Sequence, residues 1–336
     1  MTDDEPPATL AVENPRWRWV RRLGPWVITA AVVTAILVKY PIGRIVDEMQ
    51  KGNVWGMVPV ALVASIGLWF TATTGDYFIL RPMAPGLRYP FLLRSKAGMS
   101  VLNALGLALN YGGFALWIHR VLGVGWRASG GTVLMITLGD LTAVSAVALV
   151  SLTIGGDALP GETQDRLRWA APTMFVVAGL FLIAPRPTGR KRAVLAPWQL
   201  VPRLNRPLSV LCRACTIVIL IFATWGGARA FGLPVPLRAW ATFLPVLLVI
   251  GALPVNVGGM GPVQAAWLVL FAPWASGPQI LAFQFLWHLI LVSALFVRGA
   301  PFLRGVIADV ARGQGRTGSA PAEPGGQPAA SPPSTT

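Results

Sequence analysis

Charged residues are scarce in this chain. Asp, Glu, Lys and Arg make up 12% of its 336 residues, about half the share of a soluble domain, which excludes an ordinary water-soluble fold. Cysteine and histidine number two each, too few for a disulfide framework or a Cys/His metal cluster. Cys212 and Cys215 form one C-x-x-C, but it heads an apolar helix with no second pair and no histidine beside it, so both are expected as buried thiols. Catalytic signatures are lacking too: there is no G-x-S-x-G, no H-E-x-x-H and no P-loop. No cofactor, metal or enzymatic activity is expected. Basic residues outnumber acidic ones by 28 to 13, for a net charge of +15. No basic soluble domain gathers that charge, so nucleic acid is not an expected partner. Membrane topology and anionic lipid headgroups account for it instead.

What the chain has is apolar sequence, 54% of it, with a mean hydropathy of +0.60. It is therefore expected to be an all-α polytopic membrane protein. Runs long enough to span, at about 20 residues, fall near 24–40, 54–73, 131–153, 169–185, 208–231 and 279–297. Two further apolar stretches are interrupted, 97–119 by Asn110-Tyr111-Gly112-Gly113 and 239–275 by Leu253-Pro254-Val255-Asn256-Val257-Gly258-Gly259-Met260-Gly261-Pro262-Val263-Gln264. Pro254 and Pro262 remove backbone donors and the glycines admit angles closed to other residues, so no continuous helix crosses the second break. A cytoplasmic tail, 1–22, ends in the basic cluster Arg16, Arg18, Arg21 and Arg22, and it is expected to be disordered, as is the tail 306–336. The transmembrane domain is expected over 23–305.

Orientation follows from Lys and Arg in the short loops. The clusters at 16–22, at Arg81, Arg88, Arg94 and Lys96, from Arg186 to Arg206, and from Arg298 onward place four segments, including both termini, in the cytoplasm. Parity then requires 97–119 to enter and leave from the inside, bent at Asn110–Gly113, and 239–275 to enter and leave from the outside. The expected architecture is six spans plus two re-entrant broken helices, or eight to nine spans if the short halves cross. Its halves, about 54–153 and 208–297, form an inverted repeat, and the two breaks share the spelling Asn-x-Gly-Gly. Broken segments in corresponding positions of two halves point to a transporter's binding site.

The candidate binding residues are therefore Asn110, Gly112, Gly113, Asn256, Gly258, Gly259, Gly261 and Gln264. Freed amides and half-helix N-termini there suit a phosphate or carboxylate; alternatively the glycines only permit close helix packing. Asp140, inside the span 131–153, is an ionisable residue at membrane depth, with Arg120 or Arg229 as its structural partner if its role is only to pair. His288 lies inside the last span and His119 closes the first interrupted stretch. Trp17, Trp19, Trp26, Trp55, Trp126, Trp169, Trp198 and Trp240 flank spans as an interfacial belt. Asp47 and Glu48 sit in an expected outer loop.

The stretch Leu253 to Gln264 resembles the transmembrane region of lysylphosphatidylglycerol synthases, a flippase-like domain also found in stand-alone membrane proteins. In that family a Leu-Pro and a Gly-Gly-hydrophobic-Gly turn precede Arg-Glu and an apolar helix; here Val263-Gln264 stands for Arg-Glu. Leu109-Asn110-Tyr111-Gly112-Gly113 with Arg120 is similar to its first Asn and Gly region, and His288 stands where an Arg is common. The resemblance covers residues 25–305 and implies translocation of an anionic or aminoacylated lipid, in the cell membrane, without the synthases' soluble aminoacyl-transferring domain. Two other readings stay open. One is a non-transporting scaffold for an envelope-lipid synthase; the other is a polyprenyl-phosphate-dependent glycosyltransferase using Asp47 and Glu48.

Overall fold

A computed structural model describes residues 27, 29–105, 107–155, 169, 172–180, 192–252 and 262–313, and no β-strand occurs among them. Twelve helices follow one another: α1 (Thr29–Lys39), α2 (Ile42–Lys51), α3 (Val54–Leu80), α4 (Tyr89–Leu105), α5 (Leu107–Leu122), α6 (Trp126–Gly155), α7 (172–180), α8 (Arg192–Leu200), α9 (Asn205–Phe231), α10 (Leu237–Ala252), α11 (Pro262–Phe271) and α12 (Gly277–Arg312). Four of them, α3, α6, α9 and α12, are long and apolar enough to cross a membrane. α1 and α2 would make a fifth span but for a 76° bend between them. That bend corrects the expectation of an outer loop after residue 40. α2 is a helix, and Glu48 is tied to Lys51 at 2.7 Å. Of the span expected at 169–185, only 169 and 172–180 are described. α12 runs on to Arg312, past the boundary expected at 305, and ends at Gly313, whose φ of 60° suits glycine.

α3 and α9 form the central pair and run antiparallel. A methyl group on Gly56 would meet Ala230, one on Gly67 would meet Ile219, and one on Gly75 would meet Cys212. The glycines thus bring the two backbones together along the whole seam, where packing rather than the hydrophobic effect holds helices in lipid. Thr71 and Thr216 join hydroxyls across it at 2.7 Å. One end of the pair, where α3 stops and α9 starts, carries Arg81, Arg88 and Arg203; it is called the basic end below.

The two interrupted stretches are helical hairpins. In the first, Gly113 faces Leu102 and Phe91 stacks on Trp117, so α4 rises from the basic end and α5 returns to it. At 17 and 16 residues each arm is about 25 Å long, short of the roughly 30 Å hydrocarbon core. α4 ends at Leu105 and α5 begins at Leu107, a correction to the bend expected at Asn110–Gly113, which sits within α5. Glycine at two positions did not break the helix because tertiary packing outweighs a propensity cost of about 1 kcal/mol each. In the second hairpin Trp240 packs on Phe271, their ring centroids 4.4 Å apart, and Gly251 approaches Val263. α10 and α11 therefore enter and leave at the opposite end, with the break 253–261 outside the described residues.

The packing pattern maps onto itself when the halves are exchanged. α4 packs on α12 as α10 packs on α6, α3 on α12 as α9 on α6, and α2 on α12 as α8 on α6. With α3 and α9 antiparallel, this is an inverted repeat. It takes in α1–α6 and α7–α12, one short amphipathic element and one further helix more per half than the expected 54–153 and 208–297.

Two apolar clusters fill the bundle. The larger gathers Trp240, Phe243, Trp267, Phe271 and Phe283 around the second hairpin. The smaller gathers Leu92, Phe114, Trp117 and Met135 around the first. Trp55, Trp126 and Trp169 are exposed as a belt requires, whereas Trp198 and Trp240 are buried. Cys212 is half-buried, and Cys215 is exposed on α9 rather than buried.

Candidate functional site

Four charged side chains converge in the part of the bundle nearest the basic end. Arg213, eight residues into α9 and about 12 Å along it, is the hub. Its Nη2 donates to Asp76 Oδ1 on α3 and its Nη1 to Asp140 Oδ1 on α6. Lys96, on the first hairpin, reaches Asp76 Oδ2 at 2.6 Å and lies over the Phe114 ring, 4.1 Å from its centroid. The Arg213 Nε donates to Ser209 Oγ at 3.4 Å. Two glycines leave it room: a methyl on Gly139 would sit 3.3 Å from its Cδ and Nε, and one on Gly75 3.6 Å from its Cγ.

The quartet sums to zero charge, and it is closed on one side and open on the other. The side chains of Asp76 and Arg213 are 2% and 6% exposed, but that of Asp140 is 42% exposed and that of Lys96 21%. Arg213 engages one Asp140 oxygen, leaving the carboxylate able to accept from a second donor. Tyr111 of α5 stands beside it, hydrogen-bonded to Thr137.

The structure thus gives Asp140 the partner Arg213, not Arg120 or Arg229. Arg120 is exposed in the last turn of α5. Asn110 is half-buried; Gly112 is exposed with no neighbour where a side chain would begin, and Gly113 serves the packing of the hairpin. Gln264 is buried, at 4% exposure, in α11. His288 lies on an exposed face of α12, away from the quartet, and His119 Nδ1 is 2.9 Å from the Val124 carbonyl oxygen. Asn256, Gly258, Gly259 and Gly261 lie outside the described residues. Asp76, Lys96, Tyr111 and Arg213 were not singled out by sequence. Arg213, inside the apolar run 208–231, meets the same criterion that marks Asp140.

Fold and site together define a multi-pass helical membrane protein built as an inverted repeat around a buried ion-pair network. No protein-family model matches the chain, and no curated protein matches it.

Proposed function

We propose that the protein takes the headgroup of an anionic or aminoacylated membrane lipid into the space between its two halves and carries it between leaflets, as the resemblance to flippase-like domains implies. The observation that carries this reading is Asp140, a carboxylate held by Arg213 through one oxygen and open at the other. Its free oxygen can accept from the ammonium group of a zwitterionic or aminoacylated headgroup, while Lys96 stays paired with Asp76. Ionisable groups at membrane depth mark substrate paths, and half-crossing hairpins entered from opposite faces are the pattern in which transporters hold substrate. The basic end faces the cytoplasm of the cell membrane, with both termini on that side.

Purified protein in liposomes is expected to speed the movement of a headgroup-labelled lipid to the far leaflet. Asp140→Asn should slow that movement about tenfold, the equivalent of roughly 1.4 kcal/mol for one lost charge-assisted interaction. Equal rates with and without wild-type protein would sink the transport reading. Leu at Gly258 or Gly259 is expected to abolish transport while membrane insertion, followed by extraction and fractionation, stays intact; normal rates in both variants would move the site away from the second break.

A further inference from the structure

We infer that Arg298 forms a second, separate binding station, one that takes the phosphodiester of a membrane phospholipid between α3, α4 and α12. The inference rests on the headgroup reading above and deepens it. Arg298 projects from α12, and its Nη1 donates to the carbonyl oxygen of Ser65 on α3. Its guanidinium lies over the Trp69 ring, 5.4 Å from the centroid, and that indole is fixed by donating to the Leu93 carbonyl of α4 at 3.0 Å. The Arg298 Nε is buried and has no hydrogen-bond partner among the described residues, and no described carboxylate forms an ion pair with the group.

The other interior cations are engaged within the bundle. Arg213 and Lys96 hold carboxylates, and Arg206 donates to the Trp198 carbonyl at the end of α8. Arg298 keeps its Nε without a hydrogen bond among the described residues, and it does so level with Ser65, the twelfth of the 27 residues of α3. That is about 16 Å from one end of the helix and about 22 Å from the other. An uncompensated cation at such depth is costly and marks a functional site by default. Its planar fork fits the two free oxygens of a phosphodiester, which a lysine cannot grip in the same way. Access is lateral. Ile66 and Phe70 on α3 and Val297 on α12 are exposed apolar neighbours, suited to acyl chains when the phosphate is seated. Asp76 lies eleven residues beyond Ser65, about 16 Å further along the same helix. Arg298 and the quartet thus mark two charged positions on one face-to-face path along α3.

Native mass spectrometry of the full-length protein, purified in detergent, tests this by binding rather than by transport, so it can succeed where the transport assay fails. Dioleoylphosphatidylglycerol and dioleoylphosphatidylcholine are the phosphodiester probes, dioleoylglycerol the phosphate-free control, and inorganic phosphate the competitor. Wild type should retain both phosphodiester lipids and not dioleoylglycerol. Arg298→Gln should lower their retention at least tenfold, and Arg298→Lys, which keeps the charge and the fold, severalfold. Arg304→Gln, which removes an exposed arginine from the same helix, should leave it unchanged. Displacement by inorganic phosphate would show that the station accepts the free anion as well; no displacement would show that the lipid is required. Equal retention in wild type and Arg298→Lys, or equal retention of dioleoylglycerol, overturns the proposal.

Discussion

Arg213→Met is expected to be among the most damaging single substitutions in the protein, lowering stability in detergent by about 3–5 kcal/mol and abolishing function. Arg213 bridges α3 and α6 from α9. Without it, Lys96 still neutralises Asp76, but Asp140 is left as an unpaired carboxylate inside the bundle. The physical cost is therefore concentrated on one residue. Adding Asp140→Asn to Arg213→Met should recover most of the lost stability, because the remaining Asp76–Lys96 pair is neutral and complete. It should not recover transport, which needs the carboxylate. Thermal unfolding of the two variants and of Asp140→Asn alone closes a double-mutant cycle. A double variant no more stable than Arg213→Met would show that the arginine acts by packing between Gly75 and Gly139 rather than by charge.

Gly299→Leu should cost nearly as much, about 3 kcal/mol at the upper end of overpacking penalties, for a reason unconnected with charge. A methyl group there would sit 2.5 Å from the Ala97 carbonyl oxygen and 2.9 Å from Ser100 Oγ. On the facing helix, a methyl on Gly98 would meet Val306 at 2.7 Å and the Phe302 carbonyl oxygen at 3.0 Å. The nearest obstacle to a side chain at Gly299 is backbone, which cannot swing aside, so the first hairpin must move off α12. Since Lys96 precedes Ala97 on the same arm, its bond to Asp76 should be lost as well. Gly305→Leu is the control on the same helix, where nothing lies within 4 Å, and it should change stability by less than about 0.5 kcal/mol. Similar unfolding temperatures for the two variants would contradict the close α4–α12 seam.

Much of the architecture was legible because the membrane leaves so few options. Apolar length locates α3, α6, α9 and α12, and basic residues with parity make 97–119 and 239–275 return to the face they entered. The local detail failed where tertiary packing competes with a weak local signal. Asn110–Gly113 carries the composition of a break, yet it is helix, and Tyr111 within it is placed beside Asp140. The α2 segment has the charge of a loop but buries Ile45 against the bundle, and that single apolar face suffices to fold it. The tryptophans divided for a similar reason: Trp55 keeps to the belt, whereas Trp240 fills the core of the second hairpin, which no count of flanking residues separates.

The sequence by itself determined that this is a helical membrane protein with two broken elements in inverted halves, since hydrocarbon admits only backbone that bonds within its own segment and charge placement restricts how segments can alternate. Only the tertiary structure decided which charges meet. Asp76, Lys96, Asp140 and Arg213 come from four different helices, and each pair is a contact between residues far apart in the chain. Helical periodicity specifies the face a residue occupies, but not which helix lies against that face, and it is the packing of α3, α4, α6 and α9 that brings these four together, while Arg298 on α12 meets a carbonyl and an indole rather than a carboxylate.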